Sequence, residues 1–460
     1  MALRTDAERR PDRPRTQIFL ASTLYGAATL AAALDADRFT PAGRRLLLVS
    51  NNAATPETAT PVDRMPGFER LRGRFDRVLS WNETISPLHP GGWSPRPDDV
   101  PLWERHLRLL WELGEDEIEL IVESLQVHPA LALAQLFPDA PVDVYADGLM
   151  SYGPTRNKLD PLVGTRVRRL LHLDLVPGLK PLLLTEFGVD AETVPTEAFR
   201  EVLADLAADF DAPALHTVPE GAALLLGQYL SALGILTPEE EEELHARMLR
   251  GVVRRGHREV VFKPHPSAPA RWSRALEREA EQLGAELTVL DTPVLAEVLY
   301  QRKRPALVVG CFSTALLTAS AFYDVPTARV GTELLLERLT PYQNSNRVPV
   351  TLVDALVPDL ADDPGAKPVP AHINGLLSAV GYAMQNQIYP DLRPVAERYL
   401  AAHLNERTRR YFKRRRLTAL ALPGALPSQL SFIPRNAAVR RVARRARAMQ
   451  RRLKKRAAFG

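Results

Sequence analysis

Short apolar segments alternate with helical patterns through most of this 460-residue chain, and this alternation constrains its fold more than any other feature. Residues 17–22 form an apolar run, residues 24–34 an Ala-rich helical pattern, and residues 45–50 a second apolar run. A strand, a helix and a strand in close succession predict a βαβ unit, which builds a parallel sheet. Ligand-binding residues are then expected where the strands end, near Thr23 and Asn51.

A second alternating series follows residue 217, with apolar runs at residues 222–227, 259–263 and 306–309. Because the chain is longer than one hydrophobic core normally supports, the sequence predicts two Rossmann-like domains of the α/β class facing a cleft. The predicted boundaries are a disordered segment at 1–16, a first domain at 17–217, a second domain at 218–406 and a basic tail at 407–460.

The segment that closes the first domain is predicted from the same periodicities. Residues 142–145 are expected to form a strand, residues 163–173 a basic helix and residues 195–210 a further helix. The strand leads directly into the first of three short polar patterns that follow predicted strands.

The first pattern is Asp147 followed by Gly148. An acid at a strand end, before a glycine that permits a tight turn, can direct a carboxylate into a cleft and act as a base. The alternative is a turn in which Asp147 only binds nearby backbone amides.

The second pattern places His265 between Pro264 and Pro266, directly after an apolar run. Two prolines stiffen the backbone and set the direction of the imidazole, which can then donate to a phosphate or act as a general acid. The alternative is a rigid surface turn in which the histidine is incidental.

The third pattern, residues 310–314, ends in Ser313 and Thr314 at the predicted start of a helix. Two hydroxyls and free backbone amides at a helix start can bind an anion. The alternative is an ordinary helix cap. Cys311, in the same stretch, is the only cysteine in the sequence, which excludes an intrachain disulfide and a four-cysteine zinc site.

In this order, and across two Rossmann-like domains, the three patterns resemble the motifs of bacterial sialyltransferases, and in particular the α-2,8-polysialyltransferase family. Gln228, after the first strand of the second domain, and Glu297, between the last two motifs, are similar to that family as well. The resemblance covers roughly residues 16–345. It implies a GT-B-type fold and a glycosyltransferase that moves sialic acid, or a related nonulosonic acid, from a CMP-activated donor to a glycan or glycolipid acceptor.

The resemblance also implies a role for each matching residue. Asp147 matches the general base, while Ala146 replaces the first acid of that motif, which is a departure from the family pattern. The implied nucleotide-binding residues are His265, Pro266, Gln228, Glu297, Ser313 and Thr314, with His265 and the two hydroxyls on the phosphate and Glu297 on the ribose. Thr23, Asn51 and Gly148 are expected on the acceptor side of the cleft.

No metal or other cofactor is expected, because the sequence lacks a His and Cys cluster of ligand spacing. Two other functions remain open from the residues alone. One is a CDP-glycerol-type polyol phosphotransferase, and the other is a non-catalytic sugar- or membrane-binding protein.

A strong charge asymmetry separates the C-terminal segment from the rest of the chain. Residues 407–460 contain 18 Lys and Arg and no Asp or Glu, so the remainder carries a net charge of about −14. A basic helix with a weak apolar stripe is expected over residues 435–459, and such a helix can bind an anionic membrane surface. A solvated tail and a nucleic-acid-binding segment are the alternatives, although nucleic acid is not the expected partner.

The expected location follows from the same features. Residues 1–16 lack the apolar centre of a secretory signal, and no apolar run in the sequence is long enough to span a bilayer. We therefore expect a cytoplasmic protein that is peripheral at the inner face of the membrane.

Overall fold

Two parallel β-sheets organise the chain in the computed structural model, which describes residues 13–208, 213–265, 268, 270–362 and 372–425. The first sheet has seven strands in the order β3-β2-β1-β4-β5-β6-β7, and the second has five in the order β10-β9-β8-β11-β12. Every strand pair within the two sheets is parallel. The predicted α/β class, with two Rossmann-like domains in a GT-B-type arrangement, is confirmed.

The first sheet is built from the N-terminal half of the chain. Its strands are β1 (Arg15–Ala21), β2 (Arg44–Val49), β3 (Arg77–Ser80), β4 (Glu117–Glu123), β5 (Val142–Ala146), β6 (Val167–Leu173) and β7 (Asp190–Val194). Its helices are α1 (Leu24–Asp35), α2 (Glu69–Arg72), α3 (Trp81–Thr84), α4 (Val100–Leu110), α5 (Ala130–Leu136), α6 (Pro161–Gly164), α7 (Thr196–Ala208) and α8 (Pro213–His216).

The second sheet and the C-terminal helices follow. The strands are β8 (Ala223–Leu226), β9 (Glu259–Lys263), β10 (Glu286–Val289), β11 (Leu307–Gly310) and β12 (Thr327–Arg329). The helices are α9 (Pro238–Arg254), α10 (Ala270–Leu283), α11 (Ala296–Lys303), α12 (Thr314–Tyr323), α13 (Thr332–Arg338), α14 (Arg347–Leu356), α15 (Ile373–Gln385), α16 (Arg393–His403) and α17 (Arg414–Ala419). Within the described residues, no helix has both the length and the apolar character needed to cross a bilayer.

Each sheet has one switch point, where the chain stops adding strands on one side of its first strand and begins to add them on the other side. In the first sheet this point lies between β1 and β4, and in the second between β8 and β11. Parallel sheets bind ligands in the crevice beyond the carboxyl ends of the strands at such a point. The residues that follow these four strands are therefore the ones that the fold places to form a site.

The segment predicted as a basic helix over residues 163–173 is mostly strand β6, so that prediction is wrong. β6 pairs with β5 on one side and β7 on the other. Its two basic residues do not lie on a solvated helix face, because both Arg168 and Arg169 bind the buried Asp143 carboxylate on β5, at 2.8 and 2.9 Å. The sequence pattern assigned these arginines to a helix surface, whereas in the structure they form ion pairs between neighbouring strands.

The first part of the predicted tail is packed onto the second domain. Tyr411 and Phe412 are buried, and the Tyr411 hydroxyl donates to Asp354 Oδ2 at 2.8 Å. Arg410 Nη1 lies 2.6 Å from Glu333 Oε1. Packing therefore does not stop at residue 407, where the tail was predicted to begin, but continues to Ala425. Residues 426–460, with the helix expected over 435–459, lie outside the described residues.

The C-terminal helices also reach the first domain. The Tyr389 hydroxyl, after α15, lies 2.9 Å from Thr155 Oγ1 and 2.6 Å from Glu186 Oε2. Gln385 Nε2 donates to the Arg156 carbonyl at 2.5 Å. The span predicted as the second domain, 218–406, thus includes a segment that connects the two domains.

Candidate active site

A cleft of about 530 Å³ lies where the switch points of the two sheets face each other. The first domain contributes Glu123 and Asp147 from the ends of β4 and β5, and the second contributes Gln228, Ser313 and Thr314. Four of the residues predicted from sequence are thus brought into one cavity with Gly148 beside them.

A second cavity of about 610 Å³ lies on the second domain, away from this cleft. It is lined by surface arginines such as Arg247 and Arg254 on α9, and by Arg258 before β9. None of the residues predicted for the site lines it, so the chemistry is expected in the cleft between the domains.

Asp147 lies beside the N-terminus of α1. Thr23, which caps this helix, accepts a hydrogen bond from the Gly26 amide at 2.9 Å and donates to Asp147 Oδ2 at 3.5 Å. A Cβ at Gly26 would lie only 3.2 Å from Asp147 Oδ2, so the glycine lets the carboxylate approach the helix end. The positive end of the helix dipole favours the ionised acid there.

The pKa of Asp147 reflects two opposing influences. Burial raises it, while hydrogen bonds from its own backbone and from Thr23 offset part of the rise. A carboxyl whose pKa is raised but which keeps donors for its anionic form is suited to accept a proton near neutral pH.

Glu123 was missed by the sequence reasoning. It is the last residue of β4, and it pairs in register with Tyr145 on β5. The Tyr145 hydroxyl lies 3.1 Å from Glu123 Oε2. Burial, together with the nearby Asp147 charge, raises the pKa of Glu123 to about 7. An acid at the end of the apolar run at residues 117–123 was a visible signal, but only the strand order shows that β4 lies next to β5, which leads into Asp147.

The opposite wall is the N-terminus of α12. Ser313 caps this helix and accepts from the Ala315 amide at 3.3 Å, so the capping role considered for it is confirmed. Thr314 Oγ1 lies 3.5 Å from the Leu149 amide of the first domain. A Cβ at Gly148 would come within 3.1 Å of that hydroxyl, so a glycine at this position keeps the two walls in close approach.

Gln228 supports the loop that leads into α12. Its Oε1 accepts from the Phe312 amide at 2.8 Å, which ties the end of β8 to the loop after β11. Cys311 in that loop is fully buried, and burial raises the pKa of its thiol far above the ordinary value. The thiol is therefore protonated and belongs to the core.

Other predicted residues lie outside the described lining of the cleft. The His265 ring is 6.2 Å from the ring of Tyr229, and partial burial and the neighbouring Lys263 charge lower the pKa of the imidazole. Pro266 lies outside the described residues. Asn51 donates to the carbonyls of Pro56 and Ala59, and so it holds the loop after β2.

Glu297 lies in the interior below the cleft and is only 3% exposed. Burial raises its pKa to about 7, whereas the Lys263 ammonium and the Thr318 hydroxyl lower it. Thr318 Oγ1 also lies 3.3 Å from the Tyr25 hydroxyl of α1. Glu297 therefore belongs to a polar cluster at the contact between the domains, beside the strand end that carries Lys263.

Arg156 is a second residue that the sequence reasoning missed. Among the described residues that line the cleft it is the one cation, and its Nη1 donates to Ser345 Oγ at 3.2 Å. Its backbone amide is held by Gln126 Oε1. Nothing in the local sequence distinguishes Arg156 from other loop arginines, because its position depends on the contact between the domains. No three His, Cys, Asp or Glu side chains in the described part of the chain are grouped as a metal site would require.

Two parallel-sheet domains, with an acid on one wall of their cleft and hydroxyls at a helix start on the other, have the arrangement of a GT-B-type glycosyltransferase. The family model described as alpha-2,8-polysialyltransferase matches residues 17–332, more than half of the chain. The protein therefore belongs to the alpha-2,8-polysialyltransferase family and is a glycosyltransferase, an enzyme class that binds nucleotide-sugar donors and glycan acceptors. This confirms the resemblance drawn from the three motifs.

The chain is similar to several solved structures at low sequence identity, with TM-scores below 0.5. A sialyltransferase GT-B domain from Photobacterium damselae is 10% identical, with a TM-score of 0.41, over 74% of this chain and 96% of that one. MurG from Acinetobacter baumannii is 10% identical, with a TM-score of 0.40, over 84% and 95%. The UDP-GlcNAc 2-epimerase of Methanocaldococcus jannaschii is 11% identical, with a TM-score of 0.41, over 68% and 83%. A search of curated protein sequences finds no match.

Proposed function

We propose that this enzyme transfers sialic acid, or a related nonulosonic acid, from a CMP-activated donor to a glycan or glycolipid acceptor. The observation that carries this proposal is the contact of the two walls at Gly148 and Thr314. It puts the Asp147 carboxylate and the hydroxyls of Ser313 and Thr314 into the same cleft. A base for the acceptor and donors for a phosphate are then within reach of one bound sugar.

The proposed reaction uses these positions. Asp147 removes the proton from the acceptor hydroxyl as its oxygen bonds to the anomeric carbon of the donor sugar. The bond from that carbon to the phosphate oxygen breaks, and CMP leaves with the electron pair. The negative charge gathering on the phosphate is stabilised by Ser313, Thr314 and the first amides of α12. Domain closure would bring His265 to the same phosphate, where it can donate a hydrogen bond.

Binding of CMP is expected to raise the melting temperature of the protein, and UMP is expected to raise it less. A ligand that binds only the folded state stabilises it by about 2.7 kcal/mol at a hundredfold excess over its dissociation constant. Differential scanning fluorimetry with CMP, CDP and UMP measures this directly. The shift should shrink in His265→Ala, and the absence of any shift at millimolar CMP would contradict the proposed nucleotide site.

Arg156 is proposed to bind the carboxylate of a sialic acid in the cleft. The donor sugar and a polysialic acceptor both carry such an anion, and a guanidinium binds a carboxylate through two parallel hydrogen bonds. Arg156→Gln is expected to raise the KM for donor or acceptor roughly tenfold, since an exposed ionic hydrogen bond contributes about 1.5 kcal/mol. The KM of Arg156→Lys should lie between that of the wild-type protein and that of Arg156→Gln.

The exposed Arg105 on α4 provides the matched control. Arg105→Gln removes the same charge outside the cleft and should leave both KM values as they are. If Arg156→Gln has the same KM values as Arg105→Gln, the Arg156 side chain does not contact substrate.

We also propose that residues 426–460 hold the enzyme at the inner face of the cytoplasmic membrane, where glycolipid acceptors would be found. This segment contains eleven Lys and Arg and no Asp or Glu. Each basic residue near an anionic surface contributes about 1 kcal/mol of attraction.

A further inference from the structure

Two carboxyl groups line the cleft, although the motif at residues 146–148 carries only one acid. Ala146 stands before Asp147, and the second carboxyl comes from the neighbouring strand as Glu123. The backbone of Ser124, directly after it, has a φ of 42°, a left-handed conformation that is uncommon for residues other than glycine. The chain therefore turns sharply at the point where it presents the Glu123 side chain to the cleft.

The Tyr145 hydroxyl contacts Glu123 and approaches the same glycine of α1 as Asp147. It lies 3.1 Å from Glu123 Oε2 and 3.0 Å from the Leu20 carbonyl oxygen. A Cβ at Gly26 would lie 2.9 Å from the Tyr145 hydroxyl and 3.2 Å from Asp147 Oδ2, so both groups approach this glycine of α1. The phenol and the acids on either side of it thus meet over the start of α1.

The Tyr145 hydroxyl has two acceptors, the Leu20 carbonyl and Glu123 Oε2. Because a phenol has one hydrogen, these two acceptors compete for it. Glu123 therefore has only a shared donor in Tyr145, which offsets only part of the cost of ionising this buried acid. We propose that Glu123 is the second carboxyl of the active site, sharing one proton with Asp147 and acting as a positioning residue through Tyr145. This inference rests on the transfer reaction proposed above.

The groups that face Glu123 set the order in which the pair ionises. Burial, and after it the Asp147 charge, raise the pKa of Glu123 to about 7, although hydrogen bonds from Ser22 and Tyr145 offset part of the rise. Arg156, which also lines the cleft, donates to Ser345 Oγ. Asp147 therefore ionises first and Glu123 second, and the two apparent pKa values belong to the pair.

The consequence is a limit on activity at alkaline pH. Below about pH 7 the pair carries one negative charge, on the base Asp147, and Glu123 is neutral. Above about pH 7 Glu123 is ionised as well. The pair then carries two negative charges beside a donor that is itself anionic through its phosphate and carboxylate. Repulsion should then raise the donor KM, so that kcat/KM falls through an apparent pKa of about 7.

The pH profile of Glu123→Gln tests this arrangement. Glutamine has the shape of the protonated acid but cannot ionise, so the alkaline fall in kcat/KM should disappear. Tyr145→Phe removes a hydrogen bond that lowers the pKa of Glu123, so the fall should persist but move to higher pH. Glu83→Gln, at an exposed acid on α3, is the matched control and should keep the wild-type profile. A Glu123→Gln profile with an unchanged alkaline limb would overturn the proposal.

A substrate-free measurement separates this inference from the proposed reaction. Infrared difference spectra of the wild-type protein against Glu123→Gln should contain one protonated carboxyl band that is lost near pH 7. In Asp147→Asn the band should be lost at lower pH, because the charge that raises the pKa of Glu123 is gone. If the band behaves in this way but no CMP-sugar is consumed, the pair stands and the proposed function fails. If transfer occurs without the band, the pair is overturned. Should Glu123→Gln fail to fold, the Asp147→Asn and Tyr145→Phe spectra give the same decision.

Discussion

Asp147→Asn is expected to lose glycosyl transfer by roughly a hundredfold or more while it keeps its affinity for CMP, since that is the usual contribution of a positioned base. The asparagine amide has the shape of the carboxyl and can still accept from Thr23, so the local structure should persist. It cannot take a proton from the acceptor hydroxyl. Steady-state kinetics and the CMP-induced melting shift, measured on the same preparation, separate these two effects.

Asp139, exposed in the turn before β5, offers a control at the other end of that strand from Asp147. Asp139→Asn removes an acid at the edge of the sheet opposite the cleft and should leave turnover unchanged. Near-normal turnover of Asp147→Asn would assign Asp147 to the structure of the turn, which was the alternative interpretation of the motif. The base would then have to be another carboxyl of the first domain.

Removal of residues 407–460 is expected to unfold much of the second domain, whereas removal of residues 426–460 is expected to leave the melting temperature almost unchanged. The longer deletion takes away four large buried side chains, each contributing about 1.5–3 kcal/mol on burial: Tyr411, Phe412, Leu417 and Leu422. It also removes the Arg410 contact with Glu333 and the Tyr411 hydrogen bond to Asp354. Whole domains are stable by only about 5–15 kcal/mol.

The shorter deletion isolates the proposed membrane contact. The full-length protein should sediment with anionic vesicles at low salt and be released as salt rises, because charges on a membrane surface are screened over about 8 Å at physiological ionic strength. The protein ending at Ala425 should stay in the supernatant and retain activity on a soluble acceptor. If it still sediments, the anchor lies in the folded body, and if the full-length protein prefers DNA at matched salt, the segment binds nucleic acid instead.

The layered fold and the three motifs could be predicted because strand and helix periodicities are local. Residues 17–22 and 45–50 contain short apolar runs of the kind that buried parallel strands have, and Ser313 lies at a helix start that its own sequence indicates. The error at residues 163–173 has a non-local cause. Arg168 and Arg169 are neutralised by Asp143 on another strand, and a single-segment pattern carries no information on that pairing.

The same limit applies to the site. Asp147 follows its own strand and was found, whereas Glu123 and Arg156 become site residues only through strand order and domain contact. The tail boundary was placed by charge, but Arg410, Lys413 and Arg416 are held by acids and carbonyls of the second domain. Arg416, for example, donates to the Ala383 carbonyl at 2.6 Å. Charge composition does not distinguish a packed basic helix from a free one.

The donor is the point on which the account depends, and one assay tests it most directly. The purified enzyme is incubated with CMP-sialic acid or with CDP-glycerol and an acceptor oligosaccharide ending in sialic acid, and the acceptor is weighed by mass spectrometry. We predict that the acceptor gains one or more sialic acid residues, that one CMP is released for each, and that Asp147→Asn shows neither. Consumption of CDP-glycerol with addition of glycerol phosphate, and no use of CMP-sialic acid, would contradict it.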